Sequence, residues 1–205
     1  MAKKESTFFN MVSTLIVVTL VAAGLLGSIY ALTKEPIRLA ELKKKNEAIQ
    51  VVVPGFDNEP SQEVQKLFMD GDTLYFYTAR KGDEVLGTAV ETFTNLGFSG
   101  EIKLMVGFDQ EGTIIDIAVI KHAETPGLGD KMQKDKSDFS VQFMGKNPAQ
   151  FKLAVKKDRG DVDAITASTI SSRAYCDAVQ RAYNGYLQLQ ENNQQRPTTN
   201  PTHNH

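Results

Sequence analysis

Residues 102–121 read IKLMVGFDQEGTIIDIAVIK, and this stretch decides the fold class of the chain. From Ile102 to Phe108, apolar residues alternate with other residues, which is the period of two that is typical of a half-buried strand. A short turn at 110–112 then leads into 113–121, whose dense Ile and Val content predicts a strand at the centre of a sheet. The stretch therefore predicts two neighbouring strands joined by a tight turn.

On both sides of this hairpin, the sequence predicts further strands and helices. Three further segments have strand character: 74–77, 85–93 and 151–155. Pro36 suits the first turn of a helix over 37–50, and apolar pairs recur every four residues between 174 and 187, as in an amphipathic helix. We therefore expect an α+β fold with an antiparallel-rich sheet, in one mixed α/β domain that is large enough to bury its own core.

The N-terminal region contains a long stretch without charge. No charged residue occurs from 6 to 33, and 15–26 is almost entirely hydrocarbon. A bilayer core of about 30 Å needs roughly 20 apolar residues in a helix, so the stretch predicts one transmembrane helix. Two alternatives fit less well, because a signal peptide has a shorter apolar stretch and a soluble core helix has a polar face.

The distribution of basic residues leaves the orientation of this helix open. Lys3 and Lys4 precede it, and a larger basic group follows it: Lys34, Arg38, Lys43, Lys44 and Lys45. By the positive-inside rule this count favours a cytoplasmic domain. The rule weakens when a long domain follows the helix, because such domains translocate largely regardless of charge.

Composition and charge exclude several classes of protein. The 205 residues include 23 Lys and Arg against 25 Asp and Glu, so we expect no basic surface and no nucleic-acid partner. The hydrophobic content of 41% argues against global disorder. A single cysteine, Cys176, cannot form an internal disulfide.

The predicted organisation has four parts. They are a short N-terminus with the transmembrane helix (1–33), a connecting helical segment (34–70), the folded domain (71–190) and a disordered polar tail (191–205). His203 and His205 lie in the tail and His122 is the only other histidine, so we expect no metal site.

Residues 163–173, DAITASTISSR, are rich in hydroxyl side chains. Five hydroxyl side chains occur within seven positions, directly before the amphipathic helix. Ordinary helix capping is one interpretation. One cap needs only one hydroxyl, however, and no Glu or Gln follows to complete a capping box. The alternative is an anion site, since free amides and the helix dipole attract phosphate at a helix N-terminus.

Two glycine-containing loops are further candidates. In KHAETPGLGDK at 121–131, the backbone around Gly127 and Gly129 can approach a flat ligand closely, although a plain strand-ending turn is the simpler interpretation. We expect His122 to be solvated rather than catalytic. The sequence GFSG at 97–100 predicts a bulge or turn that carries an aromatic side chain.

Taken together, these motifs resemble the FMN-binding domain family. The string Asp163-x-x-Thr166-Ala167-Ser168-Thr169-x-x-Ser172 is similar to the flavinylation motif of that family, and 122–129 is similar to its flavin-packing loop. The sequence at 97–100 also matches the usual neighbourhood. Ala167 departs from the commoner glycine, and we expect alanine to exclude a positive φ there at low cost. Ser168 adds a hydroxyl beside the target residue.

The resemblance implies FMN joined covalently by a phosphoester to Thr169, through the action of an FMN transferase. Further flavin-binding residues implied are Thr166, Ala167, Ser168, Glu124, Thr125, Gly127, Leu128 and Gly129. Asp163 and Ser172 would be recognised by the transferase. No catalytic residue and no metal ligand is implied.

The motif order and the N-terminal helix also resemble the family of G subunits of Rnf electron-transport complexes, with the C subunits of sodium-pumping NADH:quinone oxidoreductases as the alternative. This implies an electron-carrying subunit of an ion-translocating ferredoxin:NAD oxidoreductase in the bacterial inner membrane, with neighbouring membrane subunits as partners. The flavin domain would be periplasmic, against the basic-residue count. Two competing interpretations are a membrane-tethered, non-redox binding module and a hydrolase that uses Ser168 with His122. The hydrolase interpretation lacks a Gly-x-Ser-x-Gly motif.

Overall fold

A computed structural model of the chain describes residues 8–69 and 71–195. Two long helices are present: α1 (Phe8–Val52) and α2 (Thr169–Gln195). The five strands are β1 (Val64–Met69), β2 (Asp72–Lys81), β3 (Glu84–Gly97), β4 (Gly100–Phe108) and β5 (Ile114–Lys121). Short 3-10 helices occur at Pro60–Gln62, Gly129–Met132, Asp138–Phe143 and Lys156–Asp158.

The strands form one antiparallel sheet in the order β1-β2-β3-β4-β5, which confirms the α+β class. The prediction that 113–121 is a central strand is wrong, because β5 lies at the edge of the sheet. Its Ile and Val content has another cause. Ile114 and Ile117 pack against the core on one face, and Ile115 packs against the core on the other.

Helix α2 covers one face of the sheet, as its four-residue pattern predicted. Its buried side includes Tyr175, Val179 and Tyr186, which pack against strand residues such as Phe108. Two hydrogen bonds fix the helix over β3. Thr92 Oγ1 donates to the carbonyl of Ala178 at 2.9 Å, and Thr94 Oγ1 donates to Asp177 at 2.7 Å. These bonds hold the third turn of α2 against β3.

The last two turns of α1 cover the opposite face of the sheet. Ala48, Ile49, Val52 and Val53 are buried there, in a cluster with Met105 and further strand residues. A side chain at Gly107 would overlap the carbonyl oxygen of Val52, so glycine permits this close approach. Lys45 forms an ion pair with Glu91 at 2.9 Å, and Tyr77 donates a hydrogen bond to the same carboxylate.

The first part of α1 is long and apolar enough to cross a membrane, as predicted. None of its most apolar window is buried. The chain divides into two compact units after Lys44. The predicted helix start at Pro36 is wrong, because α1 continues through this residue. Good helix formers flank Pro36 on both sides, and the proline removes only one backbone hydrogen bond.

Three more segments differ from the sequence-based prediction. In the predicted helical segment 34–70, the α-helix ends at Val52, a short 3-10 helix follows at Pro60–Gln62, and 64–69 forms the edge strand β1. Residues 151–155 form a loop with one isolated bridge, Val155 to Val162, because their apolar side chains fill the core under α2. Residues 191–195 continue α2, since Glu and Gln favour helix despite their polarity. The predictions for 1–7 and 196–205 lie outside the described residues.

Candidate functional site

A hydrogen-bonded turn at 165–172 builds the start of α2. The hydroxyl of Ser172 accepts from the amide of Ile165 at 2.9 Å and donates to the carbonyl of Ser168 at 2.9 Å. The amide of Ser168 donates to the carbonyl of Ile165 at 3.0 Å. Ser172 is 0% exposed, so its hydroxyl serves the turn itself. The result is that Thr169 is the first residue of the helix.

Ala167 lies inside this turn in a left-handed conformation, with φ of 60°. The expectation that alanine excludes a positive φ here is wrong. The bonds on either side of Ala167 determine the backbone path, and they hold the alanine in a conformation that glycine adopts more easily. The turn thus keeps its shape at the cost of local strain.

The neighbouring hydroxyls of Ser168 and Thr169 have opposite environments. Ser168 is buried, and its hydroxyl bonds to that of Ser171 at 2.9 Å. Thr169 is half-buried, and its hydroxyl has no hydrogen-bond partner within residues 8–69 and 71–195. The first-turn amides of a helix also lack intrahelical acceptors. An unpartnered hydroxyl and free donors therefore occur together at Thr169.

His122 stabilises the loop after β5 through contacts of both ring nitrogens. His122 Nδ1 accepts a hydrogen bond from the amide of Glu124 at 3.1 Å, and Nε2 contacts the side-chain amide of Gln133. His122 is half-buried, and the expectation that it is solvated rather than catalytic stays a prediction. The amide of Leu128 donates to the carbonyl of Thr125 at 3.1 Å, which closes a turn around Gly127 at φ of 78°. The loop is consequently well defined.

Glu124 joins this loop to two more elements. Its carboxylate is buried, and Oε1 accepts a hydrogen bond from the amide of Ser99 at 2.9 Å. Oε2 accepts from the hydroxyl of Ser171 in α2. A side chain at Gly129 would come within 2.6 Å of Oε2, so glycine is needed beside the carboxylate. The loop, the 97–100 turn and the start of α2 meet at this group.

The predicted turn at 97–100 connects β3 and β4, with Gly97 paired to Gly100. Phe98 at its tip is 68% exposed. Leu128 and Ile170, from the loop and from α2, are also substantially exposed. Apolar side chains are unusual at such exposure when they cluster around a concave surface.

These elements enclose a cavity of about 320 Å³ beside Thr169. Its lining consists of Phe98, Glu124, Thr125, Leu128, Gly129, Ala167, Ser168, Thr169, Ile170 and Ser171. Seven of the sequence-predicted binding residues are in this lining, whereas Thr166 and Gly127 are not. Ser171 and Ile170 line the cavity but were not among the predicted site residues. The hydroxyl-rich pattern that includes Ser171 was the available signal.

Asp163 and Thr166 line a second cavity of about 420 Å³. Lys156 Nζ contacts the carboxylate of Asp163 at 2.8 Å, and the amide of Asp163 donates to Gln142 at 2.8 Å. Asp163 is exposed on this side of the motif. The motif therefore presents two different faces, one toward each cavity.

The charged and titratable groups near the start of α2 are structural. Arg173 binds Asp158 through two hydrogen bonds of 2.6 and 2.8 Å, and these bonds hold the pKa of the Asp158 carboxyl below its usual range. Burial raises the pKa of the Cys176 thiol to about 12. Across the described ranges, no three His, Cys, Asp or Glu side chains are grouped to hold a metal ion. Ser168 bonds to Ser171 rather than to His122, so the geometry lacks the pair that a hydrolase would require.

Comparisons with known proteins identify the family of this chain. The sequence profile described as FMN-binding domain matches residues 97–184. The chain is 35% identical over 188 residues to the G subunit of the ion-translocating oxidoreductase complex of Vibrio cholerae serotype O1 (strain M66-2), covering 86% of this chain and 90% of that protein. It is 37% identical over 177 residues to the G subunit of Cronobacter sakazakii, covering 82% and 85%. It is 38% identical over 177 residues to that of Erwinia tasmaniensis, covering 82% and 84%.

Proposed function

Because this chain belongs to the family of G subunits of ion-translocating oxidoreductase complexes, we propose that it carries electrons in a membrane complex through an FMN bound covalently to Thr169. The observation that carries the proposal is the unpartnered hydroxyl of Thr169 at the edge of the cavity. FMN supplies the electron transfer, and the protein supplies its position and surroundings.

The residues of the cavity fit the chemistry of FMN. The volume of about 320 Å³ is within the range of small-molecule sites. Apolar side chains at Phe98, Leu128 and Ile170 suit a flat aromatic ring system. The free amides at the start of α2 suit a phosphate, because the positive end of the helix dipole is located there.

The attachment is a balanced phosphoryl transfer. The oxygen of Thr169 bonds to the phosphorus of an FMN unit that a flavin dinucleotide carries as a pyrophosphate. The pyrophosphate P–O bond breaks, the nucleoside monophosphate leaves, and the hydroxyl proton passes to a base of the transferase. No oxidation occurs in this step. Thr169 is the acceptor rather than Ser168, since the Ser168 hydroxyl is already bonded inside the protein.

The motif residues outside the cavity have separate roles in this proposal. Asp163 is exposed beside the second cavity, which suits contact with an FMN transferase. Ser172 is fully buried, so it acts by holding the turn and not by touching the transferase. The helix in 8–44 anchors the protein in the inner membrane, and the flavin domain faces the periplasm. Covalent linkage suits that side, because a bound cofactor cannot dissociate there.

Flavin fluorescence in a denaturing gel tests the proposal. The full chain and its Thr169→Val variant are each co-expressed with an FMN transferase and exported. We expect a fluorescent band for the wild type and none for the variant, because valine keeps the shape of threonine without its hydroxyl. Ser168→Ala serves as the neighbouring control: it keeps the Thr169 hydroxyl, so its band should become fluorescent at the end point of a long incubation even where labelling is slower.

Different outcomes would identify the competing functions. A dark wild-type band beside an active transferase on a control substrate would favour the non-redox binding module, with the hydroxyl cluster as a helix cap. If Thr169→Val is fluorescent and Ser168→Ala is dark, the flavin is attached to Ser168 and not to Thr169. Co-purification with a quinone-reducing complex would indicate that the chain is a C subunit of a sodium-pumping NADH:quinone oxidoreductase. The relatives that the chain matches are G subunits.

A further inference from the structure

Glu124 is the point where the three walls of the cavity meet, although its two oxygens are already used within the protein. One oxygen accepts from Ser99 at 2.9 Å in the 97–100 turn, and the second accepts from Ser171 in α2. The side chain is only 5% exposed. A carboxylate in this situation has little capacity left for a ligand.

The surrounding residues are arranged to keep this carboxylate in place. Side chains are absent at Gly97 and Gly129, where a Cβ would come within 2.8 and 2.6 Å of the two carboxylate oxygens. The amide of Glu124 is itself held by His122. Two glycines thus leave room for the carboxylate, and a histidine holds the backbone that carries it.

The carboxylate is connected to the acceptor residue through serine hydroxyls. Glu124 bonds to Ser171, and Ser171 bonds to Ser168 at 2.9 Å. Ser168 directly precedes Thr169 and belongs to the turn that sets the start of α2. Movement of the carboxylate would therefore be transmitted to the position of Thr169.

We infer that Glu124 is a positioning residue, which acts through Ser171 to hold Thr169 and the cavity walls in the geometry that flavin attachment requires. This inference rests on the proposed function, but it assigns Glu124 a role in place of direct flavin contact. The carboxylate acts by hydrogen bonding, and a neutral group of the same shape can replace it. Glutamine retains an oxygen for Ser99 and places an amide near Ser171.

The test measures the rate of flavin incorporation in the full chain, by in-gel fluorescence at several times after a transferase and a flavin dinucleotide are added. We expect Glu124→Gln to stay within about twofold of the wild type. Glu124→Ala and Ser171→Ala should each be slower by about tenfold or more, because small displacements of a reacting group have large effects on rate. The double variant should be no slower than Glu124→Ala, since both changes break one connection.

Thr92→Val is the matched control for a general loss of stability. It removes a buried hydrogen bond that holds α2 over β3, away from the cavity. Thr92→Val should lower the melting temperature and incorporate flavin at the wild-type rate. Should Glu124→Ala fail to fold, Glu124→Gln and Ser171→Ala carry the comparison, because both keep most of the packing.

Three results would overturn the inference. The first is a Glu124→Gln rate as slow as that of Glu124→Ala, which would show that the charge itself is needed. The second is a double variant whose loss equals the product of the single losses. The third is a Ser171→Ala rate equal to the wild type. Failure of the proposed attachment site would look different in the same gel, because the Thr169→Val band would then be fluorescent.

Discussion

At the residue scale, Ala167 shows that the turn before α2 is determined by its hydrogen bonds and not by local preference. Its φ is 60°, and one left-handed alanine costs about 1–2 kcal/mol. The bonds of Ser172 and Ser168 on both sides hold the turn in this shape. The strain is located two residues before the proposed acceptor, Thr169.

The change Ala167→Gly should therefore stabilise the protein. Glycine adopts positive φ without steric cost, and the gain exceeds its greater entropy in the unfolded chain, so we expect about 0.5–1 kcal/mol. Urea unfolding of the flavin-free protein measures the difference. Ala149→Gly is the control, because Ala149 is exposed and has no positive φ, and this change should destabilise slightly. Equal destabilisation by both changes would contradict the strain at Ala167.

At the element scale, the buried side of α2 contains the single cysteine. Cys176 is 2% exposed, and burial raises the pKa of its thiol to about 12, against an ordinary value of 9.0. The neutral thiol is favoured in the folded state. Its contribution to stability is therefore complete below about pH 9 and is lost as the pH rises from there to about 12.

We expect alkaline pH to weaken the packing of α2 through this thiol. Relative to Cys176→Ala, the wild type should lose about 2–3 kcal/mol of unfolding free energy between pH 9 and pH 11, since each unit is worth about 1.4 kcal/mol. Guanidinium titrations at several pH values measure both proteins. If the unfolding free energies of the wild type and of Cys176→Ala depend on pH in the same way, the thiol does not lose its proton on unfolding in this pH range.

The elements that the sequence predicted well are those with a strict period. The strand at 102–108 and the helix at 174–187 were both confirmed, because each period is that of its element. The prediction of a half-buried strand was wrong, because Met105 on the second face of β4 is buried as well. The order of strands is not encoded in this way. β5 is as apolar as a central strand because both of its faces are covered. β1 was not predicted because its sequence, VQKLFM, does not alternate between apolar and polar residues.

The candidate site was predictable only where its residues form a local sequence pattern. The hydroxyl-rich segment and the glycine loop were found from sequence, and the structure places most of their residues around one cavity. The link from Glu124 to Ser171 spans 47 positions, so no local pattern could indicate it. The positive φ of Ala167 also depends on bonds that only the folded turn contains.

At the scale of the whole molecule, the boundary of the folded domain lies inside α1 and not at its end. The unit that begins at Lys45 includes the last turns of this helix, with Ile49, Val52 and Val53 buried against the sheet. Gly107 is shaped for this contact, because any side chain there would overlap the backbone at Val52. The end of α1 and one face of the sheet thus share a hydrophobic cluster in this unit.

A truncation pair tests this boundary. A fragment that begins at Lys45 should fold with a sharp thermal transition, whereas one that begins at Pro54 should not. The shorter fragment loses three buried aliphatic side chains, each worth about 1.5–3 kcal/mol, from a total stability of typically about 5–15 kcal/mol. It also exposes Met105 and Ala89 to water and leaves Glu91 without Lys45. Circular dichroism melting and gel filtration measure both fragments. A monomeric Pro54 fragment with an unchanged melting temperature would show that the sheet and α2 are stable without the end of α1.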